Sequence, residues 1–306
     1  MDLVSNILVS VLIAATPLVL AATGELVAER AGVLNLGVEG MMVIGALAAF
    51  AAVIETGSIP LALAAAIAAG LIMAGLFAVL VVTLRANQVA AGLALSMFGL
   101  GLSALWGQGF SGLSAGAFPR LVLPGLSDLP VVGKVLFQLD GLIYLSLLLV
   151  AAVAWLLKRT RTGLILRAVG ENHDAAHAIG HPVVGVRYAA VLFGGAMAGL
   201  GGAYLSLVHT PLWAERMTAG RGWIALALVV FAAWRPWRVL GGAYLFGAVT
   251  ILELHSQALG IKIDAQILSM LPYLVTILVL VIISRDSMRL KLTAPACLGK
   301  PFHAAA

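Results

Sequence analysis

Asn35 and Glu39 stand four residues apart in AGVLNLGVEGMMVIGA (31–46), a stretch otherwise soluble in lipid. An ionised side chain in hydrocarbon costs about 3 kcal/mol or more, so a carboxylate kept there faces a cavity or a partner. Two arrangements account for the pair. In one, the backbone unwinds over 32–38, between Asn35 and Gly37, and a new helix starts near Val38. Amides at such a helix start point into a cavity and can meet a polar solute. In the other, 23–40 is an interfacial loop in which Glu25, Glu29, Arg30 and Glu39 are solvated or paired, touching no solute. The nearby charges favour this second arrangement.

Other polar residues offer less. Asn87 and Gln88 follow Arg85 at a helix start, where capping explains them as well as binding does. Glu253 and His255 lie late in an apolar run and can pair with each other or with a neighbouring helix. His173, His177 and His181 recur every four residues, but Gly180 interrupts the face, and no carboxylate or cysteine set completes a metal site. Gly133-Lys134 and Gly299-Lys300 are followed by Val and Pro, so neither ends a phosphate-binding loop. GLGLSA at 99–104 imitates a dinucleotide fingerprint inside an apolar run, with no strand before it, and reads as helix packing. Trp106, Trp213, Trp223, Trp234 and Trp237 fit interfacial belts.

The elements that must position these residues are membrane helices. Of 306 residues 62% are hydrophobic and 10% charged, and mean hydropathy is +1.09. Apolar segments near 3–22, 41–54, 60–83, 89–107, 141–158, 188–207, 222–236, 239–256 and 265–283 each approach the bilayer length of about 20 residues. The fold expected is all-α and polytopic, with about nine transmembrane helices. The short segments 41–54 and 222–236 read as broken or re-entrant. The first segment lacks preceding Lys or Arg and reads as a helix, not a cleaved signal. Cys297 is the only cysteine, which excludes an intrachain disulfide and thiol metal clusters.

The net charge of +5 reflects cations beside helix ends, not a nucleic-acid surface. Lys158, Arg159, Arg161, Arg167 and Arg187 bracket one polar segment, and Arg285, Arg289, Lys291 and Lys300 fill the tail 284–306. Both segments are expected to be cytoplasmic, with Arg30 and Arg85 on the same side and loop 108–140 outside. Arg216 and Arg221 then fall on the external side, against the trend. Within 158–187, Asn172 is an N-cap, Ala175, Ala176 and Ala178 favour helix, and Gly180 and Pro182 stop it. Such a helix is either a docking knob or an ordinary structured loop. A faint echo links Gly40, Gly45 and Ala46 with Gly242, Gly247 and Ala248. It is either an internal repeat or simply small residues at helix contacts, like Gly195-xxx-Gly199.

Three passages carry a resemblance: ERAGVLNLGVEGMMVIGA (29–46), GLILRAVGENHDAAHAIG (163–180), and GRGWIALALVVFAAWRPWRVLGGAYLFGA (220–248) with LPYLVTILVLVIISR (271–285). In order, they resemble the permease subunits of bacterial ABC importers serving branched-chain amino acids, ribose-type sugars and nucleosides. NLGVEG and GRGWIALALV are most similar to the nucleoside type, whereas ribose-type relatives carry an Asp-Leu-Ser-Val-Gly form at 35–40. The resemblance implies one permease domain over 1–306 in the bacterial inner membrane, not an enzyme, with a cytoplasmic docking loop at 159–187. It implies a second, longer permease subunit, two ABC ATPase domains and an extracytoplasmic solute-binding protein as partners. ATP would be bound by those partners, with no cofactor in this chain. By analogy Arg167, Gly170, Glu171, Asn172, Ala175, Ala176 and Gly180 dock the ATPase, and Asn35, Glu39 and Met42 bear on the translocation path. Glu39 would shape a broken helix and pair with a cation. The alternatives are an ion-coupled secondary transporter using Glu39 and Glu253, and a membrane-embedded enzyme, for which no nucleophile and base set is evident.

Overall fold

The computed structural model describes residues 2–122, 127, 132–258, 270–271, 274–275, 277–278, 281 and 293–303. Among them, seven helices are long and apolar enough to cross a membrane. They are α1 (Asp2–Arg30), α2 (Val38–Thr56), α3 (Ile59–Ala78), α4 (Gln88–Gly107), α6 (Gly141–Arg159), α9 (Val183–Tyr204) and α11 (Pro236–Ala258). Shorter helices are α5 (Val132–Phe137), α7 (Arg161–Glu171), α8 (His173–Ala178) and α10 (Arg221–Phe231). A π-helical turn continues α3 through Val79–Thr83, and another continues α9 through Leu205–His209. The all-α polytopic fold is as expected, while the span count of nine is only approximate. Seven helices qualify, α10 is short, and 265–283 lies largely outside the described residues.

Two boundaries differ from expectation. Helix α1 runs on to Arg30 with Glu25 and Glu29 fully buried, so 23–40 is not an interfacial loop and only 31–37 is irregular. Helix α2 starts at Val38 and extends 19 residues, further than the apolar run 41–54 indicated. Glu39 and Thr56 at its ends lowered the hydropathy but not the helix.

Helix α9 is the hub, packed against α1, α2 and α3. Small residues make this possible, because without a hydrophobic driving force in lipid, helices hold together by close van der Waals packing. Gly195 and Gly199 meet Gly70 and Gly45 across the α3 and α2 contacts. A Cβ on Gly202 would lie 1.9 Å from the Met42 carbonyl oxygen. The packing reading of Gly195-xxx-Gly199 therefore holds.

One end of the bundle carries α7, α8 and the tail segment 293–303. Thr160 caps α7 by accepting the Gly163 N–H at 3.1 Å, and Asn172 caps α8 by accepting that of Ala175 at 3.0 Å. Gly180 then takes φ +89°, which ends α8 where Cβ-bearing residues are strained.

Candidate functional site

The irregular segment 31–37 leaves backbone groups to be satisfied away from water, and neighbouring side chains do so. The Val33 N–H donates to the Ala28 carbonyl at 3.1 Å. That of Leu34 donates to Gln88 Oε1 at 2.8 Å, and that of Asn35 to Glu25 Oε1 at 3.0 Å. Asn35 Oδ1 accepts the Gly37 N–H at 2.9 Å, an Asx turn that sets up α2. Ser96 Oγ donates to the Leu36 carbonyl at 2.8 Å. Because Asn35 reaches back to Glu25, about one and a half turns before the end of α1, the chain re-enters the bundle before α2 begins. Asn87 is a plain cap, accepting from Ala90 at 3.0 Å. Its neighbour Gln88, by contrast, is a brace for this segment.

Glu39 joins two helix starts. It lies in the first turn of α2, and its carboxylate reaches the first turn of α10. Oε1 accepts from the Thr218 hydroxyl and from the Gly220 N–H at 2.8 Å, and Oε2 from the Gly222 N–H at 2.7 Å. Both helix N-termini present partial positive charge, and the carboxylate between them is an anion in an anion's seat. Its partners are one hydroxyl and two amides, not the cation that was expected. A Cβ on Gly222 would lie 2.6 Å from Glu39 Cα, so that glycine is what allows the approach. Thr218, Gly220, Gly222 and Ser96 were missed in the sequence, where they look like any small residues of a membrane helix.

Helix α10, 11 residues long, spans about 16 Å, half a hydrocarbon core. Its far end returns to α1, where the Trp234 indole N–H donates to Glu29 Oε2 and the Trp234 carbonyl accepts from Arg30 at 3.0 Å. The apolar run 222–236 is thus a half-helix and its turn. Trp234 and Trp213 are buried, contrary to their expected place in an interfacial belt, whereas Trp106, Trp223 and Trp237 are exposed. Trp213 instead packs on Phe50, ring centres 6.3 Å apart.

Asn35, Glu39 and Met42, at 0%, 2% and 0% exposure, are enclosed by the chain's own helices. Met42 lies against Gly201 and Gly202 of α9. Glu253 and His255 are not bonded to each other. His255 Nδ1 is 3.0 Å from the Ile251 carbonyl of its own helix. Among the described residues no His, Cys, Asp and Glu group could hold a metal.

At the other candidate site, Arg167, Glu171, Asn172, Ala175 and Gly180 are exposed, while Gly170 and Ala176 are buried. A Cβ on Gly170 would fall 2.1 Å from the Arg30 carbonyl, so α7 rides directly on the end of α1. The tail closes over this junction. The Cys297 N–H donates to the Gly170 carbonyl at 2.9 Å, and Arg187 donates to the Lys300 carbonyl at 3.0 Å. The Phe302 ring meets those of His173 and His177, each at 5.3 Å. Two of the three histidines thus hold a phenyl ring.

Residues 7–283 match the model of the family described as branched-chain amino acid transport system, permease component. The chain belongs to this family. Among curated relatives, the permease is 44% identical to a Haloferax volcanii protein named "Putative glucose ABC transporter permease protein", over 95% of both chains. It is 34% identical to a guanosine ABC transporter permease of Bacillus subtilis, over 91% of this chain and 92% of the relative. With a nucleoside ABC transporter permease of Lactococcus lactis the identity is 35%, over 90% of each. No solved structure matches. The permease is therefore a multi-pass protein of the cell membrane and a transport subunit of the ABC importer type, and these relatives lend no support to an ion-coupled carrier.

Proposed function

We propose that this permease carries a neutral, sugar-bearing solute, a nucleoside first, through a path it forms with a second, longer permease subunit. Two ABC ATPase domains drive the cycle and an extracytoplasmic binding protein delivers the solute. The observation that carries this reading is the carboxylate of Glu39 between two helix starts. In transporters such half-helix N-termini receive the anionic group of a substrate. Here the protein's own side chain fills that seat, so an anionic solute finds no free one there. Asn35, Glu39 and Met42 then bear on the path by fixing the re-entrant segment and not by touching solute.

A second reading, a monosaccharide such as glucose, is supported by the Haloferax relative. Uptake of labelled guanosine and of labelled glucose by vesicles holding the complete transporter separates the two. Guanosine uptake that glucose does not compete establishes the first, and the reverse result the second.

For docking, Glu171, Asn172 and Ala175 with Ile179, 72% exposed, form the outward face. Gly170 and Ala176 seat the helices from beneath, Gly180 turns the chain away, and Arg167 flanks them. Loop 159–187 and the tail 284–306 lie on the cytoplasmic side in this scheme, within a single permease domain. Co-purification of the ATPase should fall with Glu171→Ala and fall further with Ile179→Asp. Unchanged co-purification in both would remove the docking assignment.

A further inference from the structure

Four cations converge where α1, α6, α7 and α11 meet at the docking end. Arg30, Lys158, Arg167 and Arg235 line a cavity of about 360 Å³ whose remaining walls are Leu157, Trp234 and Pro236. The volume is in the range of small-ligand pockets. Among the described residues, none of the four lies within ion-pair distance of a carboxylate. Glu29 and Glu171 are near Arg30 without such contact, and Glu29 is turned to the Trp234 indole. Arg30 spends three donations on the Trp234 and Thr293 carbonyls. Arg167 makes one long bond of 3.4 Å within its own helix. Like charges gathered with no carboxylate in contact repel one another, and an anion between them removes much of that cost.

We propose that this cavity seats the phosphodiester headgroup of an anionic membrane phospholipid. The location argues for a lipid. Lys158 is in the last turn of one span, and Arg235 immediately precedes another, so the recess sits at the membrane edge between α6 and α11. Trp237, next in sequence to the lining Pro236, is exposed, and basic pockets between spans on the cytoplasmic side suit anionic headgroups. A docked protein, by contrast, engages projecting surface, which α8 provides and this recess does not. The cytoplasmic side rests on the orientation given above, but the charge and the cavity do not.

The test uses the complete transporter and its K158Q/R235Q variant. The control, R159Q/R238Q, removes the same charge from neighbouring positions outside the cavity. Both replaced pairs are exposed, so no packing is lost, and a detergent melting curve checks each protein. Retention of phosphatidylglycerol is read by native mass spectrometry after washing, against phosphatidylcholine and with millimolar inorganic phosphate added. The expected result is retention of phosphatidylglycerol by wild type and control, reduced about tenfold or more in the cavity variant, following the typical contribution of each cation near a lipid surface. R235Q alone should give an intermediate loss. Equal retention in all four proteins overturns the proposal. So does loss of the ATPase from the cavity variant with lipid retention unchanged, which would make the recess a subunit contact. Displacement by phosphate, with equal retention of both lipids, would make it a free-phosphate site and likewise overturn the lipid assignment.

Discussion

The two irregular regions of this permease are held in opposite ways. Segment 31–37 with Glu39 is satisfied from a distance, by Glu25 of α1, by Gln88 and Ser96 of α4, and by the start of α10. The helices of the loop from 160 to 182 are started and stopped from within, by the caps Thr160 and Asn172 and the turn at Gly180, with the tail adding Cys297 bonds to the Gly170 and Glu171 carbonyls. The first lies inside the bundle, where a missing partner has no water to replace it. The second lies at its end, where water is available. A break in the interior is therefore a tertiary feature that any one of several helices can undo, whereas a loop at the surface is a local feature that survives such losses.

The sharpest test of that contrast is Glu39→Ala. It leaves a hydroxyl and two amides without an acceptor, and each such loss costs about 1–3 kcal/mol, so the variant should lose about 3 kcal/mol or more. Thermal unfolding of the purified protein in detergent should show a large fall, with uptake lost. Glu39→Gln should lie between, because its one carbonyl oxygen still accepts while its amide group opposes a remaining donor. A wild-type melting temperature for Glu39→Ala would mean that the α2 and α10 starts are held by other contacts.

Next in size is Gln88→Ala, which orphans only the Leu34 N–H and should cost about 1–3 kcal/mol by the same measurement. Were it no more harmful than a substitution on the exposed face of α4, such as Met97→Ala, the account of the segment as braced by α4 would fail. Asn172→Ala should be milder still. Loss of an N-cap costs about 1 kcal/mol, and here it acts on a helix of one and a half turns outside the bundle. Its melting temperature should hardly move while ATPase co-purification falls. A large drop in melting temperature would erase the distinction between the two regions.

The same contrast explains which features are legible in the sequence. Helices α7 and α8 carry their own signals, so Asn172, the alanines, Gly180 and Pro182 mark the start and stop of α8 within the segment itself. The break before Val38 is equally legible, since Asn35 and Gly37 are local signals. What Glu39 does is not. Its partners are 179 and more residues away in sequence, and two of them are backbone amides that any residue type but proline would supply. Glu25 and Glu29 mislead for a related reason. Charged residues usually mark a membrane edge, but here each is buried in α1 with one oxygen accepting a hydrogen bond and the other without a partner among the described residues.

The smallest effect expected concerns the tail segment 293–303 that covers α7 and α8. His173 Nδ1 lies 3.1 Å from the Arg187 guanidinium, where a neutral imidazole can accept a hydrogen bond and a protonated one cannot. Burial lowers its affinity for a proton and Arg187 acts in the same direction, with Asp174 opposing and Lys300 and His303 adding to the depression. Released from the tail, His173 would lose its cover by Phe302 and the charges of Lys300 and His303, and its proton affinity would rise toward the usual value of about 6.5. The released form thus binds the proton more readily, and the closed tail weakens as pH falls through that value and is fully stable above it. Cys297, buried in this tail and the only cysteine, reports the opening directly. Its maleimide labelling should speed up modestly below about pH 6.5 relative to a His173→Gln variant at the same pH, because glutamine keeps an acceptor and takes no proton. Identical pH profiles for the two would show that the tail is held by Phe302 and the backbone bonds alone.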